Sequence, residues 1–154
     1  MSTKIEGDFT AAQEVLAQLK LWDLALSNQN VDDLLQQCAE NISMFDVSSQ
    51  LNGIQEYRNE WEKFSPYFFQ GMEISRRDLM IHASSDLVVL HCHSKVEHAA
   101  LKGQIQMPWC RTTLCMQKRN QQWFVVHQHI SMPVDLETGK AVKLKDKPKL
   151  RLVV

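Results

Sequence analysis

The sequence predicts an α+β domain in which N-terminal helices pack on one face of a curved antiparallel sheet. Three observations carry this reading. Apolar residues recur at three- and four-residue spacing through the first 64 residues, and the second half switches to strand-like segments divided by short turn signals. The length, 154 residues with 44% apolar, suits one hydrophobic core and not two.

Thr10-Ala11-Ala12-Gln13 has the spacing of a capping box and starts a helix to about Asn28, with Val15, Leu16, Leu19, Trp22 and Leu26 on one buried stripe. Asn30 with Asp33 signals a second, short helix carrying Leu34, Leu35 and Cys38. Residues 41–47 have strand length. After Ser48-Ser49 and Leu51-Asn52, Gly53 supplies a backbone angle that other residues avoid and opens a third helix. There Ile54, Tyr57, Trp61 and Phe64 form the buried face, Glu56, Arg58, Glu60, Glu62 and Lys63 take much of the rest, and Ser65-Pro66 ends the helix.

Four successive strands follow, near 70–82, 87–98, 104–119 and 122–132, joined at Ser84-Ser85-Asp86, Leu101-Lys102-Gly103 and Asn120-Gln121. Beyond Pro133 the composition turns basic, with Lys140, Lys143, Lys145, Lys147, Lys149 and Arg151. The expected organisation is a domain over 1–135 and an extension over 136–154. The ordinary reading of that extension is an edge strand or arm whose lysines discourage edge-to-edge pairing; a partner-binding arm is the alternative.

Seventeen basic residues against 18 acidic ones give a formal net charge of −1, which argues against nucleic acid or an anionic membrane as partner. No apolar run approaches the roughly 20 residues that cross a bilayer, and the start is polar, so the expected location is cytoplasmic. Cys38, Cys92, Cys110 and Cys115 form no C-x-x-C pair and are expected to stay reduced and buried. Asn41-Ile42-Ser43 matches a glycosylation sequon but has no secretory context. Nucleotide-binding, nucleophile-elbow and zinc-protease motifs do not occur, so no cofactor is expected.

Strand alternation places Trp109, Arg111 and Thr113 on one side, and Trp123, Val125, His127, His129 and Ser131 on one side. Arg111 would then point among apolar neighbours. A guanidinium there needs an acceptor, because it cannot lose its proton. Either Asp46 pairs with it structurally or it faces a ligand, and the sequence leaves both open. His91-Cys92-His93 and His127-Gln128-His129 have H-x-H spacing, which would suit a metal in a sheet. Hydrogen-bonded pocket or core histidines are the simpler expectation, so no metal ligands are assigned; His82 and His98 lie at strand ends, in solvent. Trp22, Tyr57, Trp61, Trp109 and Trp123 are core rings or pocket walls.

Trp22 and Ala25, Ile42-Ser43-Met44-Phe45-Asp46, Gly53, Trp61, Arg111-Thr112-Thr113 and the ending Trp123-Phe124-Val125-Val126-His127-Gln128-His129-Ile130-Ser131-Met132-Pro133 occur in an order that resembles the nuclear-transport-factor-2-like superfamily. The resemblance covers about residues 9–135. It is to the SnoaL-like and ketosteroid-isomerase-homologue branch, which also includes the association domain of calcium/calmodulin-dependent protein kinase II. It implies a cystatin-like cone, one pocket between the concave side of the sheet and the helices, and a homodimer through the sheet.

In the isomerase relatives an aspartate at the place of Asp46 is the general base, aided by a tyrosine and a protonated acid that stabilise the enolate oxygen. Trp22 falls about where that tyrosine would sit and Thr113 about where the acid would, so those donors are missing and steroid isomerisation is not expected. In the kinase-association relatives the pocket is lined by arginine, one of them matching Arg111, and Tyr57 and Trp61 lie on the helix that closes it. The resulting expectation is a pocket for a small organic acid or ketone. Arg111 would grip charge, Asp46 would accept a proton, and His91, His93, His127, His129, Tyr57, Trp61 and Trp109 would form the wall. If there is catalysis, it would be cofactor-independent proton transfer of isomerase, dehydratase or cyclase type. The alternative is a non-catalytic dimerisation or association module with a vestigial pocket.

Overall fold

A computed structural model describes residues 2–64, 72–98 and 108–145. The ends of the predicted third helix and of two strands, the turn at Leu101-Lys102-Gly103 and the lysines beyond Lys145 lie outside the described residues. The described elements, in order, are β1 (Thr3–Gly7), α1 (Phe9–Ser27), α2 (Val31–Gln36), β2 (Cys38–Phe45), β3 (Gln50–Asn52), α3 (Gly53–Phe64), β4 (Met72–Ala83), β5 (Leu87–His98), β6 (Cys110–Arg119) and β7 (Gln122–Ser131). The architecture is α+β, with the helices packed on a seven-stranded sheet of order β1-β4-β5-β6-β7-β2-β3.

The four-strand meander β4 to β7 is antiparallel, as the turn signals indicate. Its last hairpin turns at Asn120 and Gln121, both with positive φ (48° and 67°), the backbone that matches the right-handed twist of the flanking strands. Two strands join the meander in parallel, β2 beside β7 and β1 beside β4. The short strand β1 escaped the sequence reading because its TKIEG segment carries one large apolar residue. At its end Gly7 has φ +95°, and a Cβ there would meet the Ala83 carbonyl oxygen at 2.0 Å, so only glycine fits this corner.

Helix α1 begins one residue before the predicted capping box. Its cap is Asp8, whose carboxylate accepts from the Ala11 N–H at 2.9 Å. Val15, Leu19 and Trp22 are buried as the stripe predicts, joined by Ala11, Ala12 and Ala25. Asn30 caps α2 through the Asp33 N–H, and Gly53, with φ +84°, opens α3. The core lies between α1, α2 and α3 and the inner sheet face, where Leu79, Ile81, Val88, Leu90, Leu114, Met116 and Val125 are buried.

Two polar clamps hold α1 across that face. Glu14 accepts from the Trp123 indole N–H at 2.6 Å and from Lys118 at 3.1 Å. One helical stretch further on, Asp23 takes both arms of Arg76 from β4, at 2.6 and 2.8 Å. Burial alone would favour loss of the Arg76 proton, but the hydrogen bonds and charge of Asp23, with a smaller part from the Cys92 sulfur, raise its pKa above the ordinary value. The inner-face arginine that demands a carboxylate is therefore Arg76.

Arg76 is 5% exposed and Asp23 24%, so the two partners are unequal when orphaned. Asp23→Ala strands a buried charge and is expected to cost about 3–5 kcal/mol in denaturant unfolding. Arg76→Met leaves only a hydrated carboxylate and should cost clearly less; equal losses would contradict the clamp.

Candidate functional site

Between α1, α3 and the inner face of the sheet lies a cavity of about 270 Å³. Helix α1 contributes Trp22 and Leu26, β2 and its exit contribute Met44 and Asp46, and β3 contributes Leu51. Helix α3 supplies Tyr57, Glu60 and Trp61, and the sheet closes the wall with Met72, Ile74, Val96, Gln128 and Ile130. Most of this surface is apolar, and its polar groups are few, the ordinary make-up of a small-molecule pocket.

Each polar group has a local cause. Trp22 lies on the buried stripe of α1 and stacks on Tyr57 of α3, ring centroids 6.5 Å apart and 12° from parallel. The indole N–H of Trp22 has no hydrogen-bond partner among the described residues although the side chain is buried. An unsatisfied buried donor costs about 1–3 kcal/mol, so one carried by a cavity-lining residue is a candidate donor to a ligand's acceptor. Asp46 is fixed by the turn after β2: its N–H donates to the Ser49 carbonyl at 2.8 Å, and its Oδ1 accepts from the Val47 N–H at 2.7 Å. Burial raises the pKa of the Tyr57 hydroxyl; the negative forms of Cys38 and Asp46 push it the same way, and hydrogen bonding with Trp61 opposes them. Tyr57 therefore keeps its proton at neutral pH.

Asp46, Tyr57 and Trp61 are the predicted site residues that come together in this cavity. The others do not line it. A bulge in β7 is the reason. Cys115 pairs with His127 and Met116 with Val125, so Val126 is an extra residue that shifts the phase of the strand. Trp123 and Val125 face inward before it, and Gln128 and Ile130 face inward after it. His127 and His129 consequently point to the outer face. There His127 shares a 2.6 Å hydrogen bond with Ser43, and both rings meet Phe45 edge-on.

Arg111, expected in the pocket, pairs in register with Ser131 and is exposed on that outer face, donating to the Ser131 hydroxyl at 3.2 Å. Among the described residues, neither the Arg111–Asp46 pair nor an arginine lining the cavity is present. Thr113 lies outward in register with His91 and His129. His91 is exposed and stacks on His82, and His93 lies 3.6 Å from the Asp78 carboxylate, where a second bulge with φ 55° interrupts β4. Trp109 is buried, but under the Arg77 guanidinium (4.4 Å) and the Lys95 ammonium (4.8 Å), beside the returning chain at Leu144. No three His, Cys, Asp or Glu among the described residues are grouped to hold a metal ion.

All four thiols have raised pKa values: burial pushes Cys38 to about 12 and raises Cys92, Cys110 and Cys115, so none is a ready nucleophile at neutral pH. Among the described residues no Lys, Arg or His lines the cavity.

Gln128 and Glu60 escaped the sequence reading as site residues. Gln128 depends on the bulge, which the unbroken apolar run Trp123-Phe124-Val125-Val126 conceals, since such a run has no period-two phase to carry forward. Glu60 was detectable: it follows Tyr57 by three positions and precedes Trp61 by one, which puts it on the helical face that those rings share.

A family profile described as a SnoaL-like domain matches residues 15–135. Among solved structures, an NTF2-like protein of unknown function from Pseudomonas putida KT2440 is 26% identical with a TM-score of 0.81, covering 92% of this chain and 99% of its own. A protein of unknown function with a cystatin-like fold from Nostoc punctiforme PCC 73102 is 14% identical with a TM-score of 0.71, over 86% of this chain and 98% of its own. A protein described as a candidate ketosteroid isomerase from Shewanella frigidimarina NCIMB 400 is 20% identical with a TM-score of 0.64, over 83% and 99%. The last two likenesses speak for the fold alone. No curated protein matches the chain.

Arg111→Ala is expected to leave unfolding stability within about 0.5 kcal/mol of wild type, as at other exposed positions. It should also leave the thermal shift produced by any cavity ligand unchanged. A lost ligand shift in this variant would return Arg111 to the site.

Proposed function

The chain belongs to the SnoaL-like domain family, and from that premise we propose that it binds a small, largely apolar carbonyl compound and moves a proton next to the carbonyl. The observation that carries this reading is the unpartnered indole N–H of Trp22, a residue that lines the same cavity as Asp46. A base and a hydrogen-bond donor in one apolar enclosure are the minimum that enolisation requires. Asp46 takes the proton from the carbon beside the carbonyl, and the electron pair of that C–H bond shifts into the new C=C as negative charge moves to oxygen. The Trp22 N–H and the protonated Tyr57 hydroxyl donate to that oxygen. Return of the proton to a different carbon is an isomerisation, and expulsion of hydroxide from the next carbon is a dehydration.

A ketone suits this lining better than the organic acid. A carboxylate would meet Asp46 and Glu60 with no cation among the described lining residues to offset it. The fused steroid frame is likewise not the proposed ligand.

A second reading, of assembly, is favoured by the outer sheet face. Met80, His91, Thr113, His129 and Phe45 form one cross-strand row there, and Phe45 and Leu87 are exposed large apolar residues. We place the expected homodimer on this face, opposite the cavity, so assembly and ligand binding are compatible. No helix among the described residues is long and apolar enough to cross a membrane.

The test uses 1-tetralone, which has a single enolisable position, in deuterated buffer. NMR should show exchange of its C2 protons accelerated by the wild-type protein, and Asp46→Asn should cut that acceleration by about a hundredfold or more. Trp22→Phe should weaken 1-tetralone binding about 3–10-fold while tetralin, which lacks the oxygen, binds as before relative to wild type. Exchange at the buffer rate, or full activity of Asp46→Asn, would refute the proton-transfer reading.

A further inference from the structure

The cavity carries a charge pattern that the carbonyl reading does not use. Its walls hold the rings of Trp22, Tyr57 and Trp61, and the charged residues among its described lining, Asp46 and Glu60, are both acidic. Asp46 is committed to the turn that follows β2 and, in the reading above, to the proton. Glu60 is half-buried on α3 and makes no hydrogen bond or ion pair among the described residues. The basic side chains of its own helix are engaged or turned away. Arg58 pairs with Asp32 at 2.9 Å, and Lys63 in the last turn is exposed and does not line the cavity.

A carboxylate without a counter-charge at the wall of an apolar cavity attracts a cation and repels an anion more strongly than it would in water. Aromatic faces add to this, because their quadrupole draws alkylated ammonium groups, which shed water easily. Tyr57, Glu60 and Trp61 share one helical face, so the countercharge and two of the rings are presented together. We propose that the ligand is an ammonium-bearing carbonyl compound, with Glu60 as the residue that selects the positive charge and the Trp22, Tyr57 and Trp61 rings as the surface against its alkyl groups. This rests on the cavity being the ligand site, as read above, and adds the charge of the ligand to it.

Calorimetric titration of the full chain with three matched probes tests the assignment: 3-(trimethylammonio)phenol, its uncharged isostere 3-tert-butylphenol, and 3-hydroxybenzoate. The quaternary ammonium group has no proton to lose, so its positive charge is fixed throughout. It should bind at least about tenfold tighter than the isostere, with the benzoate weakest. Glu60→Gln should remove most of that gap by weakening the cation, leaving 3-tert-butylphenol within about twofold. Raising the salt on the wild-type protein provides a check that needs no variant, since screening should weaken the cation and spare the isostere. An isostere that binds as tightly as the cation would overturn the ammonium assignment while leaving the cavity a ligand site, and a gap that survives Glu60→Gln would overturn Glu60 as the selecting residue. Failure of all three probes and of 1-tetralone would overturn the ligand site and this proposal with it.

Discussion

One extra residue in β7 decides what the cavity contains. Val126 is held out of register between the pairs Cys115–His127 and Met116–Val125, and every residue after it in the strand changes face. Without that bulge His127 and His129 would continue the inward row of Trp123 and Val125, and imidazoles would line the cavity. With it, Gln128 and Ile130 line the cavity, and the histidines join Ser43 and Phe45 on the outer face. The same register fixes Arg111 outward, because it stands opposite Ser131. The phase shift leaves carboxylates, an amide and aromatic walls inside, with the imidazoles and Arg111 outside.

The interior that remains is organised by α1. Its buried stripe supplies the core contact, and its two carboxylates, Glu14 and Asp23, tie it to the β6–β7 hairpin and to β4. Trp22 stands next to Asp23 in sequence, so the clamp on Arg76 also fixes the register of the helix where Trp22 reaches the cavity and stacks on Tyr57. Positioning is thus inherited from a buried ion pair, and the unpartnered indole N–H is held by a rigid element rather than by a loop.

Much of this was legible in the sequence, and the failures have physical causes. Helix periodicity located α1, α2 and α3, because 3.6-residue repeats with charged faces survive without tertiary information, and the turn at Asn120-Gln121 and the glycine at Gly53 declared themselves through their backbone needs. Of the candidate site residues, Asp46, Tyr57 and Trp61 are the ones that line the cavity. The rule that an inward arginine needs a carboxylate was sound, but it was applied to Arg111 when the residue that obeys it is Arg76, paired with Asp23 from a distant helix. Strand phase failed at Val126 because period two carries no information through a run of apolar residues, and β1 failed because parallel edge pairing leaves almost no local pattern.

The central claim is that ligands meet the Trp22 indole and the Asp46 carboxylate inside the cavity, and do not meet the arginine and histidines of the outer sheet face. Titration of the isotopically labelled protein with 1-tetralone, followed through indole N–H, guanidinium and imidazole NMR signals, tests it most directly. The Trp22 indole signal should move downfield in proportion to binding while those of Arg111, His127 and His129 stay in place. Saturable movement of the outer-face signals with a stationary Trp22 would contradict the account.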